Sequence, residues 1–91
     1  MAWTIDYDRN VRKAIEKLDH VIRKRIRTFL HERVALLDDP RTLGRALEGQ
    51  QFNRFWRYRV GDYRIICDIQ DNRLIVLVIE VGHRREVYRR R

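Results

Sequence analysis

Arginines repeat at every second position of Phe55-Trp56-Arg57-Tyr58-Arg59-Val60, and a third follows in Tyr63-Arg64. Read with the two-residue period of a strand, Arg57 and Arg59 share one face, and Trp56, Tyr58 and Val60 share the other. Arg64, in the next extended segment, continues the row, and the segment after it ends in Glu80-Val81-Gly82-His83-Arg84-Arg85-Glu86-Val87-Tyr88. If these strands pair as neighbours, arginines, a histidine and a tyrosine converge on one surface suited to a nucleic-acid backbone. Alternating charge on one strand face is also what any half-exposed strand shows. That bland reading weakens as the cations accumulate, because like charges on a small surface repel unless an anion is expected.

Other chemistries find little support. His20 and His31 lie at a helix start and on a polar helix face, and no two histidines share a metal-ligand spacing, so no metal is expected. The chain has no phosphate-binding glycine loop, nucleophile elbow or carboxylate pair at an informative spacing, and no cofactor is expected. Cys67 is the single cysteine, which excludes an internal disulfide, and its place in Ile65-Ile66-Cys67-Asp68-Ile69 reads as a small packed residue.

The elements that must position the arginines can be read from periodicity. Ala2 to Tyr7 alternates as a short strand, and Asp8 makes an N-cap for a helix with Val11, Ala14, Ile15 and Leu18 on one stripe. Asp19 caps a second helix with the stripe Ile22, Ile26, Phe29, Leu30, Val34 and Leu37, ended by Asp38-Asp39-Pro40. Arg41 to Gln51 has no clear period, with Leu43, Ala46 and Leu47 docking it on the core. Strands are expected over about Asn53 to Val60, Tyr63 to Gln70 and Arg73 to Val81, with turns at Gly61-Asp62 and Asp71-Asn72. The apolar run Leu74 to Ile79 suggests that the last strand is central and covered on both faces. The expected fold is a single α+β domain over residues 1–91: a strand, a two-helix hairpin, then a three-strand antiparallel meander in one mostly antiparallel sheet.

Composition agrees. The 91 residues carry a net charge of +8, mostly as arginine, with a sequence pI of about 10.5, so a polyanion is the first expected partner. No segment approaches a membrane span, and a soluble cytoplasmic protein is the simplest reading.

The layout, with "FWRYRVGDYRIICDI", "LIVLVIEVGHRREVYR" and the "LEG" before the second strand, resembles the RelE/ParE superfamily of bacterial toxins. The resemblance covers nearly the whole chain and is most specific in Arg57 to Arg64 and Val81 to Tyr88. It is nearer the RelE branch, whose members cut messenger RNA in the ribosomal A site, than the ParE branch, whose members poison DNA gyrase. It implies a toxin of a type II toxin–antitoxin system, with a cognate antitoxin that masks the basic face and carries the complex to operator DNA. It also implies metal-independent cleavage by attack of a ribose 2′-hydroxyl on the adjacent phosphate. By the same resemblance Arg64, His83, Arg84 and Tyr88 are the expected catalytic residues, and Arg57, Arg59 and Arg85 the expected phosphate-binding ones. Arginine keeps its proton in a protein, so Arg57 and Arg59 suit charge stabilisation and not the base role. His83 or Tyr88, with Glu80 and Glu86 behind them, are the candidates for that role. The alternatives are a ParE-like gyrase inhibitor and a non-catalytic basic nucleic-acid-binding module.

Overall fold

Two aspartates set where the helices begin. In the structure, a computed structural model that describes residues 2–47 and 54–83, the Asp8 carboxylate accepts the Asn10 N–H at 3.1 Å and starts α1, Arg9–Glu16. The Asp19 carboxylate accepts the Val21 N–H at 3.0 Å and starts α2, His20–Phe29. Val11 and Ile15 of α1 and Ile26 of α2 are buried, as the stripes require. At Leu30–Val34 the second helix widens into a π turn, closed by the Ala35 N–H on the Leu30 carbonyl at 2.9 Å. Leu30 and Val34, four residues apart, both reach the core through this wider turn.

Both helices lie on one face of a five-stranded sheet. Its strands are β1 (Thr4–Tyr7), β2 (Arg45–Ala46), β3 (Phe55–Val60), β4 (Tyr63–Gln70) and β5 (Ile75–His83), in the order β1-β5-β4-β3-β2. β1 runs parallel to β5 and every other pair is antiparallel. α1 packs on β5 and α2 on β3, where the Phe29 and Tyr58 rings meet edge to face at 5.8 Å. The core between the layers is built on Ile26, Leu30 and Val34 from the helix side and Tyr58, Ile65, Cys67, Val76 and Val78 from the sheet. The α+β architecture is the expected one.

Three local features differ from the sequence reading. The most buried strand is β4, buried from Arg64 to Ile69, whereas β5 alternates at first between half-buried and buried residues and is half-buried from Ile79 on. Apolar content alone misassigned this, because the open-face residues of β4 include Arg64 and Asp68, which neighbouring strands bury from both sides. Second, the β4–β5 connection is a 3₁₀ turn at Asp71–Arg73, and the left-handed residue is Leu74 at φ 54°, not Asp71 or Asn72. The Leu74 side chain packs against the core and its carbonyl accepts the Thr4 N–H at 2.9 Å, so one residue closes the turn and starts the β1–β5 pairing.

The third difference is a β-bulge. Ile66 pairs with Glu80 but Cys67 pairs with Val78, so Ile79 is an extra residue on β5. Continued alternation from the core residue Val78 would turn Glu80 and Gly82 inward. The bulge reverses the phase, so that Val81 packs against the core while Glu80 and Gly82 lie on the open face.

Candidate nucleic-acid interface

Residues paired directly across an antiparallel ladder share a face, with Cβ atoms roughly 5 Å apart. Two of the ladder's pairs are arginine on arginine. Arg59 of β3 is opposite Arg64 of β4, and Arg57 of β3 is opposite Arg45 of β2. Arg57 and Arg59 are two residues apart on one strand, so all four lie on the face away from the helices. Arg64 is only 7% exposed, whereas Arg59 and Arg45 are exposed and Arg57 is half-buried. Like charges directly opposite one another are unfavourable in a sheet. Two such pairs on one face concentrate positive charge there.

Arg45 escaped the sequence reading because β2 is two residues long within a stretch of no period, so no local signal marks it as a strand. Gly44 makes the placement possible. It adopts φ +76°, and a Cβ there would run into the Arg57 carbonyl and the Tyr58 and Trp56 rings. The Trp56 indole N–H donates to the Leu43 carbonyl and the Tyr58 hydroxyl to the Pro40 carbonyl, each at 2.6 Å. The core side of β3 thus grips the loop that delivers Arg45 to its open side. Burial drives the Tyr58 hydroxyl and the Cys67 thiol to pKa values well above their ordinary ones, so both stay protonated.

The open face is not uniformly cationic. Asp68, 6% exposed, takes a two-pronged ion pair from Arg54 at 2.8 and 3.1 Å, which removes both charges from the arginine row. Glu80 pairs with Ile66 in the register, in the same ladder row as Arg57 and two rows from Arg59–Arg64–Gly82, the next row on that face. The bulge therefore places a carboxylate beside the arginines.

Of the expected site residues, the register gathers Arg57, Arg59 and Arg64. His83 it separates from them. His83 pairs with Tyr63, on the helix side of the sheet, and the two rings meet edge to face at 5.7 Å. The strands do pair as neighbours, but the register past the bulge sets His83 on the face opposite the arginines. Arg84, Arg85, Glu86 and Tyr88 lie outside the described residues. Among the described residues no group of three or more potential ligands is gathered around a metal-sized space.

Comparison with known families decides where this fold belongs. The family model of the ParE toxin of the type II toxin–antitoxin system parDE matches residues 5–88, which takes in both helices, the arginine row and every described strand apart from Thr4 at the start of β1. The chain belongs to this toxin family.

Among its relatives is the mRNA interferase toxin RelE of Escherichia coli K12, to which the toxin is 31% identical over 90 residues, covering 97% of this chain and 92% of that one. A mutant of E. coli RelE solved in the free state is 28% identical, superposes with a TM-score of 0.76, and is matched over 98% of this chain and 93% of its own. The RelE of the intact E. coli RelBE toxin–antitoxin complex is 25% identical with a TM-score of 0.74, over 90% and 96% of the two chains. The toxin's described helices include none long and apolar enough to cross a membrane.

Proposed function

We propose that this toxin is an endoribonuclease that cuts messenger RNA in the A site of the cytoplasmic ribosome and is restrained by a cognate antitoxin. The observation that carries the reading is the paired arginine row, Arg59–Arg64 flanked by Arg57–Arg45, on one open face. Its likeness to the E. coli mRNA interferase over nearly the full length of both chains supports the same conclusion. The relative solved with its antitoxin supports the partner, which would bind operator DNA on behalf of the complex.

In the reaction, the 2′-oxygen bonds to the adjacent phosphorus as the bond to the 5′-oxygen breaks. The products are a 2′,3′-cyclic phosphate and a 5′-hydroxyl. The 2′-hydroxyl proton passes to a base, and an acid protonates the leaving oxygen. No step requires a metal ion. Arg64 is held by burial in the centre of the sheet, a rigid support for a guanidinium that faces the charge growing on the phosphorane. Arg57 and Arg59 hold the flanking phosphates. Glu80 is the described proton acceptor on the arginine face, and His83 supports the site from behind the strand. Arg84 or Arg85 supplies further charge, and Tyr88 orients the scissile nucleotide.

The test is translation of a defined mRNA in vitro with the cut ends mapped. The wild type gives codon-phased cuts, and Arg64→Ala lowers the rate by about 100-fold, the usual cost of one charge-stabilising donor. Undiminished cutting by Arg64→Ala would remove it from the role. The matching family model is named for ParE, so a DNA gyrase supercoiling assay runs beside the first. Blocked supercoiling with intact mRNA replaces the ribonuclease reading with that of a gyrase inhibitor.

A further inference from the structure

The helix side of the β4–β5 end holds a second constellation that the arginine face does not use. Asn10, Lys13, Ala14 and Lys17 fall at i, i+3, i+4 and i+7 along α1 and its C-cap, a flank beside the Val11–Ile15 core stripe. Opposite them are Tyr63, Val81 and His83, and the two surfaces enclose a groove of about 630 Å³. That is within the range of small-ligand clefts. The small Ala14 side chain keeps the groove open in the middle. No carboxylate lines it, and among the described residues neither Lys13 nor Lys17 forms an ion pair with an acid. Two ammonium groups one helical turn apart are mildly unfavourable unless an anion joins them.

An aromatic pair on one wall and two lysines on the other match the two halves of a nucleotide. A base can stack on the exposed part of the Tyr63–His83 pair, while Lys13 and Lys17 meet its phosphate. The groove is also next to the arginine row in the chain itself. Gly82 pairs with Arg64 on the open face, and His83, one peptide unit on, faces the groove. An RNA strand held by Arg59 and Arg64 reaches the groove by passing over the end of β5.

We infer that the groove between α1 and the β4–β5 end is a subsite for one RNA nucleotide flanking the scissile phosphate, with Tyr63 and His83 as its stacking wall and Lys13 and Lys17 as its phosphate ligands. This rests on the ribonuclease reading, and its test is chosen so that the two fail differently.

The probe is a 2′-O-methyl tetranucleotide, which cannot be cut, titrated into the full-length toxin at several salt concentrations. The double variant Lys13→Gln/Lys17→Gln touches only exposed side chains and keeps the wild-type circular dichroism. It should bind the tetranucleotide roughly tenfold more weakly, with a log–log salt slope smaller by about 0.7 for each phosphate that the variant no longer neutralises. A dinucleotide, too short to span both sites, should bind wild type and double variant alike. Lys24→Gln/Arg27→Gln, at two exposed positions of α2 outside the groove, is the matched charge control and should bind as wild type. If the double variant binds the tetranucleotide no more weakly than Lys24→Gln/Arg27→Gln, the subsite is wrong. If Arg64→Ala loses binding in that same experiment, the ribonuclease reading stands without it. If the wild-type toxin fails to bind the tetranucleotide at low salt, the subsite is wrong, while the ribonuclease reading is judged separately by the cutting of translated mRNA.

Discussion

Cys67 and Tyr58 show what burial does to a titratable residue when no charge is wanted. Both are wholly enclosed in the core and both have raised pKa values, for which desolvation is the main cause. For an acid held neutral by the fold, the stabilising contribution is complete below the unfolded-state pKa and is lost as pH rises towards the raised folded value. The unfolded chain ionises Cys67 from roughly pH 8.5 and Tyr58 from about pH 10. Stability should therefore be flat through neutrality and fall steadily above that first value. Urea unfolding midpoints measured from pH 7 to pH 10 check this. Cys67→Ala, though less stable at pH 7 because it leaves a small cavity, should show a shallower decline. Equal slopes for the two proteins would mean that another group carries the alkaline loss.

Among the secondary elements, β2 is the smallest and does the most for the arginine face. Its two residues place Arg45 against Arg57, and the placement depends on the positive φ of Gly44 and its lack of a side chain. Gly44→Ala combines left-handed strain with overlap against the Arg57 carbonyl, each costing on the order of 1–3 kcal/mol. The expected outcome is a destabilised toxin in which β2 moves off β3 and RNA affinity drops with the loss of Arg45. Arg45→Gln should lower affinity alone and leave the unfolding midpoint in place, which separates the cation from the strand. The caps at Asp8 and Asp19, the alternation in β3 and the bounds of β4 were all legible, because each depends on residues within a few positions of one another. The arginine row was legible for the same reason. β2, the parallel β1–β5 pairing and the bulge at Ile79 were not, since each is settled by what the partner strand offers. That limit shaped the reading of the site as well. The pairing of neighbouring strands alone predicts His83 beside the arginines, and only the register reveals that Glu80 takes that face.

At the scale of the whole molecule, both layers are basic. The sheet presents Arg45, Arg57, Arg59 and Arg64, and the helix layer presents Arg12, Lys13, Lys17, Arg23, Lys24 and Arg27, within a net charge of +8. Such a chain repels itself, and whatever anion binds the folded form relieves that repulsion and stabilises it. An antitoxin that restrains this toxin by masking the arginine row meets the same surface. A segment that covers the open sheet face buries arginines, and burying a cation without a partner is costly, so the segment must supply carboxylates opposite the row. Charge neutralisation then makes the complex salt-sensitive. Screening shortens the reach of exposed charges from about 10 Å at 0.1 M to about 3 Å at 1 M, which weakens attraction at the rim before the buried pairs. Calorimetric titration of toxin with antitoxin across that salt range should show a falling affinity. Arg57→Gln/Arg59→Gln should flatten the dependence as it lowers RNA cleavage. Should affinity be indifferent to salt and to those two substitutions, the antitoxin holds an apolar surface elsewhere on the toxin. Inhibition would then work by distorting the arginine row and not by covering it.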